Sequence, residues 1–256
     1  MKRVTEPVRK SLLDVVKKNL RTAGKITYLT RMVNIGMYGG TDANLEKKIE
    51  SIIHDLQAEY TNVPITGLLL VYPQYYVHVL EASEEIIYKQ FKVLYGLHDF
   101  DLGKSIFLPS HHHAHQRFFT EWFYIYAIPP SLFDIPRSYE LDDIKGQVSN
   151  CLKKVYRFCD SISNAAHDSL IPMQDVVSNM GDAVTRVLPE STVIEYLLNA
   201  KTTILLSVEE YLKVHSKVPF INLYQDSIWP PPYDFMFGDG CEKDVHRIVD
   251  SSVSKH

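Results

Sequence analysis

Three cysteines in 256 residues, Cys151, Cys159 and Cys241, are too few and too scattered for a disulfide framework or a CxxC metal site. All three are expected to be reduced, as in a cytosolic chain. No apolar run approaches the roughly 20 residues that cross a bilayer. The N-terminus, MKRVTEPVRKSLLDVVKKNL, carries Pro7 and Asp14 among its cations and lacks the apolar block of a secretory signal. A cytoplasmic location without a membrane partner is therefore the expectation. Strong charge of one sign is also missing, and a net charge of −4 creates no field that would draw in nucleic acid. Arg9, Lys10, Lys17, Lys18 and Arg21 fit the solvated face of a helix rather than a binding patch. Phosphate-cradle spacings are absent as well. The stretch GMYGG at residues 36–40 has neither GxGxxG nor GxxxxGK spacing and reads as a flexible loop.

What is present is ordinary globular material, 45% hydrophobic and 23% charged, enough for a sizeable core. Leu12, Leu13, Val15, Val16 and Leu20 predict a short amphipathic helix. KITYLTRMV has strand composition, NIGMYGG breaks it, and Thr41 or Asp42 can cap a helix with Leu45, Ile49, Ile52, Ile53 and Leu56 on one face. ITGLLLVYPQYYVHVLEA then reads as two strands joined at Pro73-Gln74. A second helix follows, with Ser83 as cap and Ile86, Ile87, Phe91, Leu94 and Leu97 inward. KSIFLPS and WFYIYAI are two further strands, separated by HHHAHQRFFTE.

The pattern predicts an α+β, ferredoxin-like β-α-β-β-α-β-β sandwich over residues 25–129, with both helices on one face of a mixed sheet. Residues 1–24 supply the N-terminal helix. Residues 130–256 form an α-helical extension with an aromatic, proline-rich tail. Ile144, Val148, Cys151, Leu152, Val155 and Phe158 make one helical stripe there. Residues 173–188 and 191–216 make two more, the last capped by Ser191 or Thr192. The tail, VPFINLYQDSIWPPPYDFMF, is expected to be extended, and SSVSKH to be disordered.

In order and spacing, ITYLTR, ITGLLLVY, VHVLEA and RFFTEW resemble the BLUF domain, the blue-light sensor that uses flavin. The resemblance covers roughly residues 25 to 128 and implies the same β-α-β-β-α-β-β sandwich, with an isoalloxazine ring between its two helices. It also implies a working tyrosine in the first strand, a glutamine in the third, and an asparagine gripping the ring. Tyr28 takes the tyrosine position, but the glutamine position holds His78 and the asparagine position holds Tyr60. Trp122 matches the family's tryptophan, while the methionine two residues later is Tyr124. A primary amide donates and accepts on one rotatable group, which an imidazole cannot reproduce. The resemblance therefore implies a retained scaffold without working photochemistry, and no flavin such as FAD is expected in it.

HHHAH is the segment most suggestive of metal. On an extended strand His111, His113 and His115 would share a face. No cysteine or carboxylate pair nearby completes a site, so no metal is expected. His78 lacks a nucleophile or an oriented carboxylate and reads as a hydrogen-bonded core histidine. Glu81 and Glu121 are too isolated to form a carboxylate pair. Sixteen tyrosines and the aromatic tail suit either a protein interface or a cover over the chain's own core.

The whole chain, helical half included, resembles a vertebrate testis-expressed family whose N-terminal half is BLUF-like. That implies germ cells or sperm, and protein partners that are axonemal or cytoskeletal. Two other readings compete with a non-enzymatic interaction protein. One is a sensor holding flavin or another planar molecule in the helix-helix cleft. The other is an acylphosphatase-like hydrolase, for which Arg31 is the one candidate and the rest of the set is missing.

Overall fold

A computed structural model describes residues 11–39, 42–96, 102–130, 138–169, 173, 175–176 and 187–216. Cys241, Leu97 and the aromatic tail lie outside these residues, as does most of the stripe expected at 173–188. The first helix, α1 (Leu12–Thr22), opens with a reciprocal box in which the Ser11 hydroxyl accepts from the Asp14 N–H and the Asp14 carboxylate accepts from the Ser11 N–H. None of its residues is buried.

The elements that follow are β1 (Leu29–Tyr38), α2 (Asp42–Glu59), β2 (Thr66–Val71), β3 (Tyr75–Ala82), α3 (Glu84–Tyr95), β4 (Leu102–Ala114) and β5 (Trp122–Tyr126). Their order is the expected β-α-β-β-α-β-β. The strands form one mixed sheet in the order β4-β1-β3-β2-β5, antiparallel throughout except where β5 runs parallel to β2. Period-2 alternation splits the sheet residues into two cores. Met32, Leu69, Val71, Tyr76, Leu80 and Phe107 pack with the stripes of α2 and α3. Val33, Ile35, Leu68, Leu70, Val77, Val79, Ile106 and Leu108 face the other way.

Helices of the C-terminal half cover that second face. In α4 (Leu141–Ser169), Ile144, Val148, Cys151, Val155 and Phe158 are buried in the same core as the strands, as their spacing predicts. They are joined by α5 (Ser191–Asn199), through Val193, Ile194, Leu197 and Leu198. The Tyr72 hydroxyl donates to the Pro189 carbonyl at 3.1 Å, and Lys154 pairs with Glu190. The sheet is thus a middle layer with helices on both sides, which explains why β2 is buried at every position. No helix of the described residues is long and apolar enough to cross a membrane.

Three local expectations are corrected. NIGMYGG does not break the first strand, since β1 runs to Tyr38. Pairing with both β3 and β4 outweighs the weak strand preference of Gly36, over which the Tyr76 ring lies. The last helical stripe is two helices, because the chain leaves α5 at Ala200, which is extended, and residues 201–207 carry it to the open edge of β4. There Phe107 N–H donates to the Leu206 carbonyl at 2.8 Å, and α6 (Val208–His215) begins beyond it. The cap of α5 is Glu190 rather than Ser191 or Thr192, and its side chain makes no capping bond.

Candidate functional site

His78 sits in the middle of β3 on the face covered by α2 and α3, only 1% exposed. Its ladder partners are Asn34 on β1 and Leu69 on β2. Trp122, at the start of β5, donates its indole N–H to His78 Nε2 at 3.1 Å. The two rings stand edge to face at 6.2 Å, and Phe91 of α3 closes a third side at 6.4 Å. With Nε2 accepting, the proton of the neutral ring belongs on Nδ1, which has no hydrogen-bond partner. Two more polar side chains share this condition. Asn34 spends its amide N–H groups on Ser105 Oγ and the Ile106 carbonyl, leaving Oδ1 unpartnered, and both amide atoms of Gln90 on α3 are unpartnered. Four orphan polar atoms therefore lie in the layer between this sheet face and α3.

Burial pushes the pKa of His78 down to about 3. Below its ordinary value of 6.5 the unfolded chain takes up a proton that the folded chain refuses. The stabilising effect of a neutral His78 is complete above about pH 6.5 and is lost as pH falls toward 3. Urea unfolding across this window should show stability rising by up to about 1.4 kcal/mol per pH unit from this residue. The His78→Gln protein should lose that part of the slope, and parallel curves for the two proteins would exclude it.

The other positions implied by the BLUF resemblance are not gathered around His78. Tyr28 precedes β1, six residues from Asn34, which at about 3.3 Å per residue puts it some 20 Å along the strand. It is 36% exposed and stacks on His113 at 4.1 Å between ring centroids. The β1 residue that faces His78 is Asn34. Tyr60 follows α2, and its hydroxyl donates to Glu85 of α3 at 3.3 Å. Lys89 lies over its ring and bonds both Glu59 and Glu85, so this corner is a clasp between the two helices. Of the other four positions, Trp122 is the one bonded to His78. Tyr124 is the next aromatic of β5 on the same face, with its ring 6.3 Å from Trp122.

The histidine segment does not keep its spacing either. His113 has φ 57, in the left-handed region, which interrupts the alternation that would align His111, His113 and His115. His112 bonds Glu84 at 2.6 Å. Among the described residues no group of three or more His, Cys, Asp or Glu is arranged to hold a metal ion. Burial also silences the thiols, pushing Cys151 up to about 12 and Cys159 higher still.

Sequence reasoning missed a second cluster. Glu81, fully buried at the end of β3, accepts from Arg31 Nε at 2.7 Å, from the Thr66 hydroxyl, and from the main-chain N–H groups of Phe118 and Phe119. Arg31 lies over the Phe118 ring at 3.8 Å. It is committed to the interior and cannot meet a phosphate, which removes the one candidate of the hydrolase reading. The signal was present in the sequence, since Arg31 and Glu81 are charged residues inside strand runs. Gln90 likewise falls on the apolar stripe of Ile86, Ile87, Phe91 and Leu94.

Several solved structures are similar to this chain. BlrP1 BLUF is 18% identical with a TM-score of 0.30, over 39% of this chain and 66% of that one. Klebsiella pneumoniae BlrP1, in its manganese and cyclic di-GMP complex, is 20% identical with a TM-score of 0.29, over 38% and 24%. A bacterial light-regulated adenylyl cyclase is 19% identical with a TM-score of 0.33, over 58% and 38%. The chain spans less than two thirds of the length of each. A family model matches far more of it, residues 28–217, running from the first strand through the sheet and both covering layers to the last described helix. On that match the chain belongs to the testis-expressed protein 47 family.

Proposed function

We propose that this chain is a non-enzymatic protein-interaction or structural component of male germ cells, built on a BLUF-like domain that has given up its flavin. Its place is a cytoplasmic assembly, such as the cytoskeleton of the sperm flagellar axoneme. Its partners are proteins rather than nucleic acid or membrane. The observation that carries this reading is the state of the cleft between α2 and α3. Where the resemblance implies a switching amide, His78 has its acceptor nitrogen tied to Trp122. Where it implies a ring-gripping asparagine, Tyr60 ties one helix to the other. Ile49, Ile53, Ile86, Ile87 and Phe91 are buried over the same sheet face. These residues do not fit an isoalloxazine ring.

A second reading keeps flavin or another planar molecule in the cleft, and draws on the four orphan polar atoms of Asn34, His78 and Gln90. Absorbance separates the two. The purified protein is expected to show no flavin bands, and His78→Gln, incubated with FAD and desalted, is expected to remain colourless because the clasp and the packing persist. Stoichiometric flavin in the purified protein would sink the leading reading. Co-purification from testis, followed by mass spectrometry, tests the interaction role. A chain that emerges alone and monomeric from every extraction removes its support.

A further inference from the structure

Glu81 is one buried carboxylate facing two guanidinium groups. Arg31 takes the ion pair. Arg117, in the segment between β4 and β5, reaches the same place but finds neutral acceptors, the Thr66 hydroxyl at 2.9 Å and the Glu81 main-chain carbonyl at 2.6 Å. No carboxylate of the described residues lies within ion-pair distance of it. Burial pushes its pKa below the ordinary arginine range, opposed by Glu81 and reinforced by Arg31. A half-buried cation that shares its one nearby carboxylate with a second arginine is under-compensated, and an anion beside it would relieve the cost.

The side chain also borders open space. Both bonds use Nη1, which fixes the guanidinium plane, and Nε and Nη2 make no hydrogen bond to the described residues. Arg117 walls a cavity of about 720 Å³ with Thr66, Phe118, Phe119, Ser163 and Ala166. It also walls a smaller one of about 270 Å³, with Lys25 and His115. The larger volume suits a small organic ligand. Glu121 also lines it, exposed and not ion-paired with Arg117.

We propose that the larger cavity binds a small organic anion, its carboxylate or phosphate on the Arg117 fork and its apolar body against Phe118, Phe119 and Ala166. A planar fork held by two bonds suits either head group. The site is independent of the helix-helix cleft, and its ligand is not a flavin ring.

Isothermal titration of the full-length protein with octanoate, octyl phosphate and the neutral 1-octanol tests this. The expected result is saturable binding of one anion per chain, at least about tenfold tighter than the alcohol, as a charge-assisted fork contact implies. The tighter of the two anions identifies the head group. Ser163→Trp, which fills the cavity from α4 without touching the arginine network, should abolish binding. Arg117→Gln should bring octanoate down to the alcohol's level. The site is excluded if octanol binds as tightly as both anions, if neither anion gives a saturable heat by about 5 mM, or if binding survives Ser163→Trp. Should Arg117→Gln not fold, the comparison of anion with alcohol and the Ser163→Trp variant still decide.

Discussion

Gly67→Ala is expected to lower the stability of this protein by about 4 kcal/mol, or to leave it insoluble. Gly67 lies in β2, between β3 and β5, with φ at +158. A β-carbon there would stand 2.2 Å from the Val79 carbonyl oxygen and 3.2 Å from Leu80 Cα. Both are main-chain atoms of the neighbouring strand, so no side chain can swing aside, and relief requires parting the ladder at the centre of the sheet. At roughly 2–4 °C per kcal/mol for a chain of this size, the melting temperature should fall by about 8–16 °C. Gly146, exposed in α4 where an added methyl group would meet nothing within 4 Å, is the matched control. Alanine there should stabilise by about 0.5–1 kcal/mol through better helix propensity. A Gly67→Ala protein melting with the wild type would refute the close approach of β2 to β3.

Glu81→Ala is expected to cost about 3–5 kcal/mol, because it leaves Arg31 a buried charge without a counter-ion. It also orphans the main-chain N–H groups of Phe118 and Phe119. The loss should show in urea midpoints at neutral pH. The double variant Arg31→Met, Glu81→Leu should recover most of it, since an apolar pair of similar volume removes the charge along with its partner. If the double variant is no more stable than Glu81→Ala, the defect lies in the lost contacts to the 118–119 main chain, and the ion pair is not its source.

These two residues also explain the motif. The glycine of ITG and the glutamate of VLE carry the most specific part of the BLUF resemblance, and both have tasks in this fold that need no flavin. Gly67 lets β3 approach, while Glu81 anchors the segment leading into β5. Thr66 between them bonds Glu81 and Arg117. A chain can therefore keep the motif whatever residue stands at position 78.

The elements of the sandwich were legible because α2, α3 and α4 followed a clean 3.6 period, while β2 and β3 were short apolar runs joined at Pro73-Gln74. The site was harder. Tyr28 was placed by the ITYLTR motif alone, and the ladder instead sets Asn34 against His78. Orphan atoms and a second arginine facing one carboxylate are properties of three-dimensional neighbourhood. Gln90 shows only as a polar residue on an apolar stripe, and nothing in the spacing of Asn34 or Arg117 announces them. The division of residues 191–216 was hidden because docking on the β4 edge outweighs the helical preference of the intervening residues.

The helices on the far side of the sheet have a consequence for how this chain comes apart. Val33, Ile35, Leu68, Leu70, Val77 and Val79 share one core with α4 and α5. The sensor-like half and the helical half should therefore melt in a single cooperative step, as one folding unit. A fragment ended near residue 129 would bare a continuous aliphatic face and aggregate, so the sheet and its two helices cannot be lifted out of this chain as a portable part.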